Sequence, residues 1–145
     1  MNRRRFLEQV HVISGSVLCG SALLSGCAAG ARTRYVGMTR MGDRIAVSRA
    51  EMIEGSGALV EVPGIKLPLY LHSHGGDRFS AVSTRCMHRG CEVEPAADRL
   101  ACPCHGSQYT LEGAVLKGPT ERPLAKYRVS ADATTIYIHL TSEGV

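Results

Sequence analysis

The 145-residue chain carries 17 Lys and Arg against 13 Asp and Glu, a net charge of +4, and 44% of its residues are apolar. One domain's length suffices for a hydrophobic core, and so weak and dispersed a charge gives no basis for a nucleic-acid-binding function. Six cysteines in so short a chain direct attention to cross-links, modification or metal instead.

At the amino end, Asn2-Arg3-Arg4-Arg5-Phe6-Leu7 places twin arginines before Phe-Leu, and residues 10–26 form an apolar stretch softened by Gly and Ser. This resembles a twin-arginine export signal, the route by which bacteria move folded, cofactor-loaded proteins across the inner membrane. Leu24-Ser25-Gly26-Cys27 resembles a lipoprotein processing box. Cleavage before Cys27 would leave that residue to be acylated, anchoring the chain by lipid in the bacterial envelope on the periplasmic side. The alternative is an uncleaved transmembrane helix, since about 17–20 mostly apolar residues just span a bilayer. The many small and polar residues, among them Ser14, Gly15, Ser16, Gly20 and Ser21, favour the lipid anchor. The expected organisation is therefore residues 1–26 as export signal, 27–43 as a tether and 44–145 as one domain. The competing expectation for the tether, which is small, basic and aperiodic, is that part of it packs as an edge strand.

From Arg44 onward short β-rich runs alternate with Gly, Pro and Asp, the pattern of an antiparallel all-β domain. The runs predict strands at Arg44–Val47, Ala58–Val62, Leu67–Ser73, Phe79–Ser83, Arg99–Ala101, Gln108–Thr110, Ala114–Leu116, Tyr127–Ser130 and Thr135–Leu140. A short helical turn is expected within Ser48–Glu54, a hairpin turn at His74-Gly75-Gly76-Asp77, and another turn at Asp132. His72 and His74 share one face of a strand and are expected to be exposed at its end. His139 fits the last strand.

Two boxes interrupt this pattern, Cys86-Met87-His88-Arg89-Gly90-Cys91 and Cys102-Pro103-Cys104-His105-Gly106-Ser107. Each offers one thiolate and one imidazole at metal-ligand spacing plus a spare cysteine. Two Cys and two His also close a tetrahedral zinc site, but zinc knuckles usually pair Cys-x-x-Cys, whereas each box here mixes the two ligand types. Mixed ligation by two Cys and two His is the signature of a Rieske [2Fe–2S] centre. Both boxes, their order and the residues that follow resemble the high-potential Rieske family, strongly over residues 83–123.

That resemblance implies a Rieske fold: an antiparallel β-sandwich base with a cluster-binding subdomain over about 83–123. It implies one [2Fe–2S] cluster on Cys86, His88, Cys102 and His105, with a Cys91–Cys104 disulfide joining the loops. Further implied are hydrogen bonds from Ser107 to a bridging sulfide and from Tyr109 to a ligand sulfur. The segment Gly118–Pro123, with Pro119 in it, resembles the loop that covers the cluster. Gly90 and Gly106 let the backbone bend around the site, and His88 and His105 are the candidate exits for an electron and a proton.

The function implied is one-electron transfer in a quinol:cytochrome c oxidoreductase, with quinol and cytochrome b/c-type partners. A second reading is the small subunit of another periplasmic oxidoreductase such as arsenite oxidase, partnered by a molybdopterin subunit. The third is a zinc-stabilised binding lipoprotein. Either redox reading makes the chain an electron-transfer subunit rather than an enzyme on its own. Arg89 departs from the apolar residue usual at that position in quinol-oxidising relatives and suits a polar protein partner better.

Overall fold

The β-rich runs form strands across residues 34–143, the part of the chain that the computed structural model describes. The residues expected to form an export signal and a processing box, Cys27 among them, lie outside the described residues. In chain order the strands are β1 (Thr39–Met41), β2 (Arg44–Ser48), β3 (Gly57–Val60), β4 (Leu69–Ser73) and β5 (Phe79–Ser83). They continue as β6 (Glu94–Ala96), β7 (Arg99–Ala101), β8 (Gln108–Tyr109), β9 (Val115–Lys117), β10 (Lys126–Ala131) and β11 (Thr135–Glu143). A single 3₁₀ turn, Arg49–Glu51, is the only helical element among the described residues, none of which forms a helix long and apolar enough to cross a membrane.

Seven strands make one antiparallel base sheet in the order β1-β2-β11-β10-β5-β4-β3, and the other four make a small sheet, β6-β7-β8-β9. The small sheet lies in sequence between β5 and β10. It carries the second box between β7 and β8, while the first box sits between β5 and β6.

Side-chain alternation along β3, β4 and β5 explains how the two parts join. Ala58, Val60, Leu69, Leu71 and Ala81 point into the core of the base, with Ile45, Val47, Ile136 and Ile138. Leu59, Tyr70 and Val82, the intervening residues, point the other way into a second core with Val93, Leu100, Tyr109 and Leu124 of the cluster-side segment. Both faces of β4 are therefore covered, and all five of its residues are buried. Each fully buried Leu or Ile contributes about 1.5–3 kcal/mol, so the shared wall stabilises both halves.

This double coverage corrects the expectation for His72 and His74. His72 shares Tyr70's face, pairs with Gly57 across β3 and is only 7% exposed, while His74 is half-buried.

The tether expectation also fails from Arg34 onward. Backbone bonds Val36 N–H to Leu59 C=O (3.0 Å) and Leu59 N–H to Arg34 C=O (2.8 Å) lay residues 34–36 beside β3. Residues 39–41 then pair with β2 as β1. One segment thus bridges both edges of the base sheet, with Val36 buried and Met38 packed on the core. The competing expectation, an edge strand, is the one observed, because an apolar residue at 36 and again at 38 gives the segment a face to bury.

β6 went unpredicted for a different reason. Its hairpin with β7 turns through Ala97-Asp98, and Ala97 takes φ +46°, a conformation that sequence patterns signal with Gly or Asn.

Candidate metal centre

The two boxes fold into the same backbone frame. In the first, Cys86 N–H donates to Cys91 C=O (2.8 Å) and Gly90 N–H returns to Cys86 C=O (2.8 Å). In the second, Cys102 N–H donates to Ser107 C=O (2.8 Å) and Gly106 N–H returns to Cys102 C=O (3.0 Å). Closing so tight a loop needs a left-handed residue just before the last position, and Gly90 (φ +79°) and Gly106 (φ +78°) supply it.

This frame brings the candidate ligands together. Cys86 and Cys102 are buried free thiols. The His88 and His105 rings meet edge to face, centroids 4.8 Å apart and planes at 85°. His88 Nδ1 is buried with no hydrogen-bond partner among the described residues. A buried ring nitrogen left without a partner is costly, and coordination to a metal removes the cost. Two thiols, a lone buried imidazole nitrogen and a second imidazole thus fit the mixed donor set of a Rieske cluster.

Cys91 and Cys104 are joined by a disulfide across 13 positions. Their sulfurs and that of Cys102 lie within 4.8 Å of one another, but the disulfide removes both as thiolate ligands. The bond instead ties the loop of the second box to that of the first beside the candidate ligands.

Hydrogen bonds around Cys86 favour its thiolate. Tyr109 is fully buried, its hydroxyl 3.3 Å from Cys86 Sγ. The Met87 amide donates to the same hydroxyl oxygen at 3.2 Å, which leaves the phenolic proton free for the sulfur. Burial alone would raise the Cys86 pKa, but Tyr109, the His88 amide, Cys102 and Ser107 outweigh it and hold the thiol below its ordinary value. Burial, followed by neighbouring Cys86, pushes Cys102 up.

Ser107 is also fully buried, and its Oγ accepts from the Thr120 amide at 3.3 Å, leaving the hydroxyl proton to donate. Pro119 is exposed, so the 118–123 loop touches the site through Thr120 rather than through its prolines. Arg122 ties the loop to the first box by donating to Met87 C=O at 3.3 Å. Sequence reasoning missed both ties, since neither Thr120 nor Arg122 carries a motif.

It also missed a polar chain at the seam with the base. Tyr70 OH meets His72 Nδ1 at 3.2 Å, the His72 and His74 rings lie 4.7 Å apart, and His74 Nε2 meets Ser80 Oγ at 2.8 Å. Glu112 Oε1, from the turn after β8, lies 3.4 Å from His74 Nδ1. Only the face-sharing of His72 and His74 was legible in the sequence. His139 sits in β11, with its ring nitrogens 3.3 Å from an Arg128 nitrogen and 3.2 Å from Ser130 Oγ.

The family model of the Rieske [2Fe-2S] domain matches residues 32–128. The chain belongs to this family. Its Rieske domain is 43% identical over 70 residues to the cytochrome b6-f complex iron–sulfur subunit of Chlorobaculum tepidum, covering 47% of this chain and 38% of that subunit. The corresponding subunit of Parasynechococcus marenigrum is 36% identical over 95 residues, 62% of this chain and 52% of that one. The chain thus spans about half or less of the length of these two relatives. The solved structure of a cyanobacterial plasma membrane Rieske protein from Synechocystis matches with a TM-score of 0.50 and 32% identity, covering 57% of this chain and 84% of that one.

Proposed function

We propose that this Rieske protein is a one-electron carrier whose [2Fe–2S] cluster is held by Cys86, His88, Cys102 and His105, and that it serves a quinol-oxidising membrane complex of the cytochrome bc or b6-f type. The observation that carries the ligand set is the buried, unpartnered His88 Nδ1 beside two buried free thiols. The iron–sulfur subunits of cytochrome b6-f complexes among its relatives support the setting.

When bound, the cluster supplies one reversible electron at a potential in the upper part of the range of roughly −150 to +300 mV. The protein's part is to tune and expose it. The phenolic proton of Tyr109 and the hydroxyl proton of Ser107 draw negative charge from the sulfur side, favouring the reduced form. His105 is exposed, so its second ring nitrogen is open to solvent or to a bound quinol. The disulfide keeps the two loops in register, and the segment around Pro119 shields the site through the Thr120 and Arg122 bonds. Lipid anchorage at Cys27 completes the reading, with the domain held at the periplasmic face of the membrane.

The deciding experiment is EPR spectroscopy of protein purified without reductant, before and after ascorbate, with iron and zinc counted. A Rieske-type signal induced by ascorbate with two irons per chain is the expected result. Zinc without iron would overturn it.

A further inference from the structure

A cavity of about 330 Å³ lies at the seam between the base sheet and the small sheet, and none of Cys86, His88, Cys102 or His105 lines it. Gly57, Tyr70 and His72 of β3 and β4 contribute one side, Pro95 and Ala97 of the β6–β7 hairpin another, and Arg34 enters from the segment beside β3. Arg34 is exposed and belongs to none of the ion pairs among the described residues, Arg49–Asp77, His74–Glu112 and Arg99–Asp98. No Asp or Glu lines the cavity, so nothing within it neutralises the guanidinium. His72 is more than nine-tenths buried, at 7% exposure. Its ring stacks on Tyr70, centroids 5.9 Å apart, and meets His74 edge-on at 4.7 Å, which fixes its direction. The Tyr70 hydroxyl takes up Nδ1 at 3.2 Å, whereas Nε2 has no hydrogen-bond partner among the described residues and is not sealed from solvent.

Burial, followed by the charge of Glu112, raises the Tyr70 pKa, so the phenol keeps its proton and donates it to His72 Nδ1. The ring's own hydrogen then sits on Nε2, and a protonated ring carries one there as well, so Nε2 is a donor in both forms. Gly57 makes this arrangement possible, because a Cβ at that position would collide with the Tyr70 hydroxyl. The cavity thus joins an unpaired cation and an unmet N–H to apolar surface from Ile53, Ala58 and Pro95. Pockets for small molecules begin at about 300 Å³ and set a few placed polar groups in such a lining. A carboxylate answers both donors at once, accepting charge-assisted hydrogen bonds from the guanidinium and from the imidazole. We infer that this cavity binds a small monocarboxylate, its carboxylate on Arg34 and His72 Nε2 and its apolar body between β3 and the β6–β7 hairpin. The bound molecule links the base to the small sheet, a role separate from electron transfer.

The probe is benzoate, with uncharged benzamide of nearly the same shape and inorganic phosphate as comparators, each measured by equilibrium dialysis against the cluster-loaded full chain. Benzoate should bind roughly tenfold or more tightly than either comparator, the order of one charge-assisted hydrogen bond. Arg34→Met and His72→Phe should each weaken it by a similar factor, whereas Arg128→Met, an exposed cation outside the cavity, should leave it unchanged. Iron content and near-ultraviolet circular dichroism show whether each variant keeps its fold. Phenylglyoxal, which modifies accessible arginines, gives a second readout on the unaltered chain: benzoate should slow its labelling of Arg34, followed by peptide mass spectrometry. Equal binding of benzoate and benzamide, a preference for phosphate, benzoate binding that survives Arg34→Met, or labelling of Arg34 that benzoate does not slow would overturn the inference.

Discussion

Loop Cys86–Cys91 and loop Cys102–Ser107 close with the same two backbone hydrogen bonds, yet they are supported differently. The inner loop is held at both ends of Met87, by the Tyr109 hydroxyl on its amide and by Arg122 on its carbonyl, and His88 is half-buried. In the outer loop Pro103, Cys104, His105 and Gly106 are all exposed. Its ties to the rest of the site run through buried Ser107 and through the disulfide. Identical frames can thus give one loop that the core positions and one that a cross-link must position. The loop with less packing is also the one that offers its imidazole to solvent.

Removing the cross-link should break this comparison most severely. Cys104→Ser frees the outer loop and removes a constraint worth about 3 kcal/mol, roughly a 10–20 °C fall in Tm. Iron per chain should drop below half, and full retention of iron would show that the outer loop positions itself. Next comes the inner loop's own support. Tyr109→Phe leaves the Met87 amide unpaired, costing about 1–3 kcal/mol in denaturant unfolding, and lowers the midpoint potential while the cluster remains; an unchanged voltammogram would remove the tyrosine from the tuning role.

The shared frame itself is sharpened by a pair of substitutions. Gly106→Ala meets open space and pays only for the left-handed backbone, about 1–2 kcal/mol. Gly90→Ala places its Cβ 3.3 Å from Arg85 Nε, so its urea midpoint should be lower by a small further step.

The smallest effect concerns the polar seam between the base sheet and the turn that carries Glu112. His72 has its pKa lowered, first by burial and then by neighbouring His74. Below its ordinary value of 6.5 the unfolded chain takes up a proton that folded His72 resists, so stability falls as pH drops through that region. Burial would raise the Glu112 pKa, but Thr110, its own amide, His74 and His72 together lower it, so its contribution persists above about 4.5 and is lost in stronger acid. Urea midpoints from pH 7.5 to 5.5 should decline in the native chain, and the decline should shrink in His72→Gln.

Much of the candidate centre was legible because its chemistry is local. Cys86 and His88, Cys102 and His105, and the two loop glycines fall within two six-residue windows. Most strands were legible from β-rich runs, down to the bounds of Phe79–Ser83 and Arg99–Ala101. What the sequence concealed is long-range. Whether His72 is buried depends on a sheet formed twenty to forty residues later, and periodicity along one strand cannot reveal that its second face is covered. Thr120 and Arg122 act on the boxes from a loop with no signature of its own. β1 was hidden because its three residues are all exposed and take their order from a partner strand.

Residues 34–41 have a consequence for how copies of this protein coexist. A sheet with an open margin offers unpaired backbone groups as a template on which another chain can add a strand and begin to aggregate. Here one continuous segment lies along β3 and then along β2, occupying both margins of the base sheet. Among the described residues, Leu59 of β3 and the outer side of β2 therefore already have their backbone partners, which leaves less of that sheet for a neighbour's strand to enter.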